Sequence, residues 1–171
     1  MITGALNLLA TARALQTEIT AQLGPPPDGL SAVQSWVVPI TLTRGTRGYI
    51  ERIANQANGA YENGWYDACA VMIRRLLETL IIEVFEKYHI ADRIKNTSGD
   101  FLYLRDLVSR TLNEPSWNLS RNCKQALPRV KNILDKSAHS RRYNAVREDL
   151  APLVNDVRLI VQEFLYLAGL K

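Results

Sequence analysis

Apolar residues recur every three or four positions through most of this chain, and the densest such run occupies residues 64–88, GWYDACAVMIRRLLETLIIEVFEKY. Tyr66, Cys69, Ala70, Ile73, Leu77, Leu80, Ile81, Val84 and Phe85 keep helical spacing, and Ala68, Val71, Met72, Leu76 and Ile82 widen the apolar arc well beyond one stripe. A helix apolar on most of its circumference must be covered on several sides, which places this segment at the centre of the fold. Its charges fall into two sets. At about 100° per residue Asp67, Arg74 and Glu78 share one narrow line, whereas Arg75, Glu83 and Glu86 lie on another side, where water can reach them. The first line is either a solvated edge carrying an Arg74–Glu78 pair or a polar strip facing something functional.

The flanking pattern is also helical. Residues 2–23 carry Leu8, Ala12, Leu15 and Ile19 on one face and stop at Gly24 and three prolines. The β-branched stretch VQSWVVPITLT follows. Pro39 interrupts it and no second strand offers itself for pairing, so it reads as an extended crossing segment anchored by Trp36. A second helix spans about 46–62, burying Ile50, Ile53, Ala54, Ala57, Ala60 and Tyr61, and Asn63-Gly64 turns the chain into an antiparallel central helix. Beyond residue 88 a polar link with one helical turn leads to a helix opening at Ser98 or Gly99 and stopped by Pro115. Asn118 or Ser120 caps the next helix, whose spacing runs through Pro128 and predicts either a kink or two abutting helices. The last helix covers roughly 147–168, with Pro152 near its start and Gly169 at its close. The fold class is all-α: a single-domain bundle of about six helices with an irregular segment at 24–45, residues 1–45 belonging to the same domain as the bundle at 46–171.

Composition bears this out and narrows the function. With 47% apolar and 22% charged residues in 171, the chain can bury a core without staples. Cys69 and Cys123 stand alone in helical patterns, which favours buried thiols in a reducing compartment over a disulfide or zinc site. The first residues lack a basic region ahead of an apolar one, and no run approaches the roughly 18 apolar residues of a membrane span, so a cytoplasmic protein without a membrane partner is expected. Net charge is only +4, yet residues 118–147 hold eight cations and one carboxylate. Arg121, Lys124, Arg129, Lys131, Lys136, Arg141, Arg142 and Arg147 are opposed by Asp135 alone. Such an excess suggests an anionic partner, or else a basic face answered by acids of a neighbouring helix.

Motifs remove several chemistries. His89 and His139 are fifty positions apart with no metal-ligand spacing around either, and no phosphate loop, dinucleotide fingerprint or GxSxG elbow occurs. No metal or other cofactor is expected. What remains is KNILDKSAHSRRYN, residues 131–144. His139 there can act as general acid or base near neutral pH, with Arg141 and Arg142 holding a phosphodiester. Alternatively, it is a cation at a helix carboxy end beside solvated arginines.

Taken together, the GWYDACAVMIRRLLETLI helix, with Arg74, Arg75 and Glu78, and the helix ending DKSAHSRRYNA resemble the HEPN superfamily, in particular its poorly characterised bacterial branch, over roughly 49–167. The resemblance implies an all-α bundle that pairs as a homodimer. It also implies an RNA-interacting, metal-independent ribonuclease of the kind found in toxin–antitoxin, phage-defence and stress systems. The family's motif sets an arginine four to six residues before its histidine. Here the nearest upstream arginine, Arg129, has nine residues between it and His139, so Arg74 or Arg141 would have to fill that place. The catalytic candidates are His139 and Arg141, and the binding candidates are Arg142, Lys136, Lys131, Arg129, Arg74 and Glu78. The competing reading is a non-catalytic binding or assembly module that uses the same bundle and its basic face for RNA or another anion.

Overall fold

A computed structural model of the chain describes Thr11 and residues 36–171, with the side chain of His139 excepted. The chain divides into two compact units, Met1–Leu30 and Ser31–Lys171. Of the first, Thr11 alone is described, helical and exposed. The rest of the helix expected at 2–23, and the prolines after it, lie outside the described residues.

The second unit runs α1 (Ile40–Thr43), α2 (Gly48–Glu62), α3 (Tyr66–Lys87), a 3-10 turn (Ala91–Ile94), α4 (Leu104–Asn113), α5 (Arg121–His139), α6 (Arg147–Leu150), a 3-10 turn (Ala151–Leu153) and α7 (Val154–Leu167). Among the described residues the sole β pairing is an isolated bridge between Lys95 and Phe101, and the architecture is the expected all-α bundle of about six helices. The wide apolar arc of α3 does what its pattern requires: the helix packs on α2, α4, α5, α6 and α7. Cys69, Leu76, Leu77, Leu80, Ile81 and Phe85 are all fully buried along it, each large aliphatic or aromatic side chain contributing roughly 1.5–3 kcal/mol of transfer free energy. Both cysteines are free and buried, and burial pushes each thiol up to about 12, so they stay protonated packing groups.

Glycine closes two helices where the chain needs a left-handed residue. Gly64 has φ 74° and Gly169 φ 66°. In each case the next amide reaches back five residues, Trp65 N–H to the Ala60 carbonyl at 2.8 Å and Leu170 N–H to the Leu165 carbonyl at 2.9 Å. At the other end of α5, the Ser120 hydroxyl accepts from the Cys123 amide at 3.1 Å.

Several local expectations are corrected. Glu83 is buried, its carboxylate receiving Arg47 Nε at 2.8 Å and the Tyr49 hydroxyl, because the start of α2 lies across that side of α3. Arg75 and Glu86 do face water. Trp36 is 41% exposed, and it is Val37 and Val38 that enter the core. Their amides donate to Asn58 Oδ1 at 2.9 and 3.0 Å, and Asn58 Nδ2 donates to the Val38 carbonyl at 2.8 Å. Ile40–Thr43 is a helical turn rather than extended chain, since Pro39 fixes φ at −56° ahead of it. The helix expected from 98 begins at Leu104. Asn96 Oδ1 accepts from the Ser98 and Asp100 amides, both at 2.9 Å, and holds that stretch in a turn. Helix α5 continues through Pro128 as one helix, so two abutting helices are not found. Pro152 instead divides the last helix, with a 3-10 turn between α6 and α7. Among the described residues no helix is long and apolar enough to cross a membrane.

Candidate functional site

The polar line of α3 meets α5 and the loop after it. Asp67 Oδ1 accepts from the Ala145 amide at 2.8 Å, so its upper end fixes that loop. Arg74, with 12% of its side chain exposed, pairs with Glu78 at 3.2 Å and with Asp135 of α5. Lys131 reaches the same Asp135 at 2.9 Å from one turn earlier. The line is therefore neither a solvated edge nor an open functional strip, but one side of a cross-linked polar seam.

The two carboxylates respond differently to that seam. Burial raises the Glu78 carboxyl above its ordinary value, and the Arg74 charge and the Leu104 amide offset this only in part. Burial also acts upward on Asp135, but hydrogen bonds from Lys131 and Arg74 outweigh it and hold that carboxyl below its ordinary value.

Beside the seam lies a cleft of about 430 Å³ lined by Arg74, Tyr103, Arg105, Asp106 and Asp135. His139 is the last residue of α5, four positions after Asp135, and the ridge Lys131–Asp135–His139 keeps the spacing of one helix face. The backbone of His139 is thus about 6 Å beyond the residue that Arg74 grips. Its side chain lies outside the described residues.

The structure separates the remaining candidates. Arg129 projects from α5 toward α7, where it pairs with Asp156 at 3.0 Å, because residue 129 lies well round the helix from 131 and 135. Lys136 is exposed, and its charge helps hold Asp149 below its ordinary value, behind the hydrogen bond from the Val146 amide. Arg141 and Arg142 stand exposed in the loop after α5, with no salt bridge among the described residues. The loop beneath them is fixed. The Val146 amide donates to Asp149 at 3.0 Å, and burial with the nearby Asp149 and Asp67 carboxylates pushes the Tyr143 phenol up to about 12. Of the basic segment, Arg129 and Lys131 are answered by acids, while Arg121, Lys124, Lys136, Arg141, Arg142 and Arg147 are exposed and in no salt bridge among the described residues; Arg141 and Arg142 are the two of these that adjoin in sequence.

Sequence reasoning singled out Arg74, Glu78 and Lys131 but took Asp135 only as the lone opposing acid, and missed Tyr103, Arg105 and Asp106 altogether. The i,i+4 spacing of Lys131 and Asp135 was a usable signal. No local signal links Arg74 to Asp135 across 61 positions. Among the described residues no group of three or more His, Cys, Asp or Glu side chains is placed to hold a metal ion. Comparison with protein-family models, with curated proteins and with solved structures finds no match to this chain.

Proposed function

We propose that this chain is a HEPN-like RNA-interacting helical module, working in the bacterial cytoplasm, whose contact surface is the carboxy end of α5 and the loop after it. One observation carries the reading. Arg141 and Arg142 are adjacent, exposed and without an ion pair among the described residues, whereas Arg74, Arg129 and Lys131 are held by Glu78, Asp135 and Asp156. Two successive arginines concentrate positive charge at one place on the chain, and a phosphate backbone neutralises it while matching the forked donors of each guanidinium. Arg74 is taken as a structural cation, since two carboxylates already engage it.

A second reading, cleavage of that RNA, is favoured by the place of His139 two positions before this arginine pair. An imidazole at that point would accept the proton of a ribose 2′-hydroxyl as its oxygen attacks the adjacent phosphorus. The P–O5′ bond would break as the P–O2′ bond forms, leaving a 2′,3′-cyclic phosphate; water would supply the proton to the leaving 5′-oxygen, and the arginines would bind the phosphate. The family resemblance adds self-association as a homodimer to both readings.

The test uses purified wild type, Arg141→Ala with Arg142→Ala, and His139→Ala, each mixed with single-stranded RNA in EDTA. Wild type and His139→Ala are expected to shift the RNA on a native gel and the double variant to shift it weakly. Equal binding by all three would remove the arginine surface from the account. On a denaturing gel, cleavage by wild type and not by His139→Ala supports the second reading, and intact RNA in both lanes ends it for these substrates.

A further inference from the structure

The cleft beside the seam has a floor and a rim of different character. Its floor is Arg74, fixed by Glu78 and Asp135, and further polar groups come from Arg105 and Asp106. Its rim is Tyr103, 81% exposed, at the residue before α4. The backbone there is committed, because the Tyr103 carbonyl accepts from the Asp106 and Leu107 amides at 2.9 and 3.0 Å. The backbone position from which the side chain extends is thereby set, while the ring stands open to solvent. A single exposed aromatic residue is ordinary on a protein surface and carries no inference by itself. Here it borders a cleft whose other groups are two cations and two carboxylates, of which Arg74 and Asp135 are held by each other.

That combination suits a flat ligand with a π face and a mixed donor–acceptor edge. A nucleobase is such a ligand. Carboxylates accept from an exocyclic amino group, guanidinium groups donate to ring nitrogens or carbonyl oxygens, and a phenol ring stacks on the face. The volume, about 430 Å³, lies at the small end of ligand pockets and is ample for one base. Asp135 belongs to the cleft and lies in α5 one turn before His139, six positions along the chain from Arg141.

We infer that this cleft is a base subsite, taking one amino-bearing nucleobase of the strand whose phosphates Arg141 and Arg142 hold, with Tyr103 stacked on its face. The inference rests on the RNA-binding reading above. It assigns the two sets of residues different tasks: the arginines supply the salt-dependent part of affinity, and Tyr103 supplies a salt-independent part with base preference.

The experiment measures binding of fluorescein-labelled oligoadenylate and oligouridylate by anisotropy at several salt concentrations, for wild type, Tyr103→Ala and Tyr103→Phe. The exposed ring makes both variants expected to fold, which circular dichroism checks. Tyr103→Ala should weaken oligoadenylate binding about 5- to 150-fold, the range for loss of one base–aromatic stack, and leave the salt slope unchanged. Tyr103→Phe should stay within about twofold of wild type, because the ring rather than the hydroxyl is used. Wild type should prefer oligoadenylate, and Tyr103→Ala should narrow that preference. If Tyr103→Ala binds both oligomers as wild type does, the subsite is wrong while RNA binding stands. If the Phe and Ala variants lose affinity equally, stacking is overturned. If wild type binds neither oligomer at any salt concentration, the RNA-binding reading falls and the subsite with it.

Discussion

Arg74 holds two carboxylates whose titrations oppose one another, and this gives the seam a pH signature. Asp135 has its folded pKa below the ordinary 3.8, so the unfolded chain binds that proton more readily. Its stabilisation is whole above about pH 5 and is lost as pH falls through the folded value. Glu78 has its folded pKa above the ordinary 4.5, and the sign reverses. Its contribution is fully present in acid, below the unfolded value, and is lost as pH rises through the folded one. Asp135→Asn should therefore flatten the fall in urea midpoint on acidification below about pH 4, and Glu78→Gln should remove the gain in midpoint that acidification brings in the range just above the ordinary 4.5. Parallel profiles for wild type and both variants would mean that neither carboxylate is tied to the folded state as described. Removing the shared cation is expected to cost more: Arg74→Ala leaves two partly buried carboxylates with Lys131 alone. A loss of about 1–3 kcal/mol in unfolding free energy is the predicted result.

Among the elements, the long helices were legible because each depends mainly on its own apolar spacing. The arc of α3 demanded neighbours on several sides, and five helices supply them. Gly64 and Gly169 announced their stops because the left-handed turn is a local requirement. What escaped sequence reading depends on distant partners. Glu83 looked solvent-facing because nothing in α3 says that Arg47 and Tyr49 will lie over it. The start of α4 was misplaced because one side chain, Asn96, captures two amides that a helix beginning at 98 would need in another geometry. The Val37–Val38 segment belongs to the same class. Its attachment is written in Asn58, a buried amide on α2 that a helical wheel shows only as an unexplained polar residue on an apolar face. Asn58→Ala strands two buried N–H groups and one carbonyl, so it should destabilise the protein by about 2–4 kcal/mol. Hydrogen exchange at Val37 and Val38 should accelerate more than in the middle of α3. Unchanged protection at those two amides would show that the valines, and not Asn58, hold the segment.

For the whole molecule, the informative quantity is where charge is left unanswered rather than how much there is. A net charge of +4 is unremarked in a chain of this size, and the excess within 118–147 was legible by counting. Counting could not show which cations were available, since the pairing of Arg129 with Asp156 depends on how α5 and α7 lie together. The bundle uses Arg129 and Lys131 as structure and leaves Arg141 and Arg142 outside as the one adjacent pair among the unpaired cations of the segment. That division is the central claim. It is tested most directly by the salt dependence of single-stranded RNA affinity, measured for wild type and for Arg141→Ala with Arg142→Ala between about 0.05 and 0.3 M salt. At about 0.7 per phosphate contact on a single strand, the double variant should show a log–log slope shallower by about 1.4 and an affinity roughly 25-fold lower at 0.1 M salt. A slope equal to that of wild type, or loss of affinity matched by Arg129→Ala, would contradict the claim that these two arginines are the charges the fold holds in reserve.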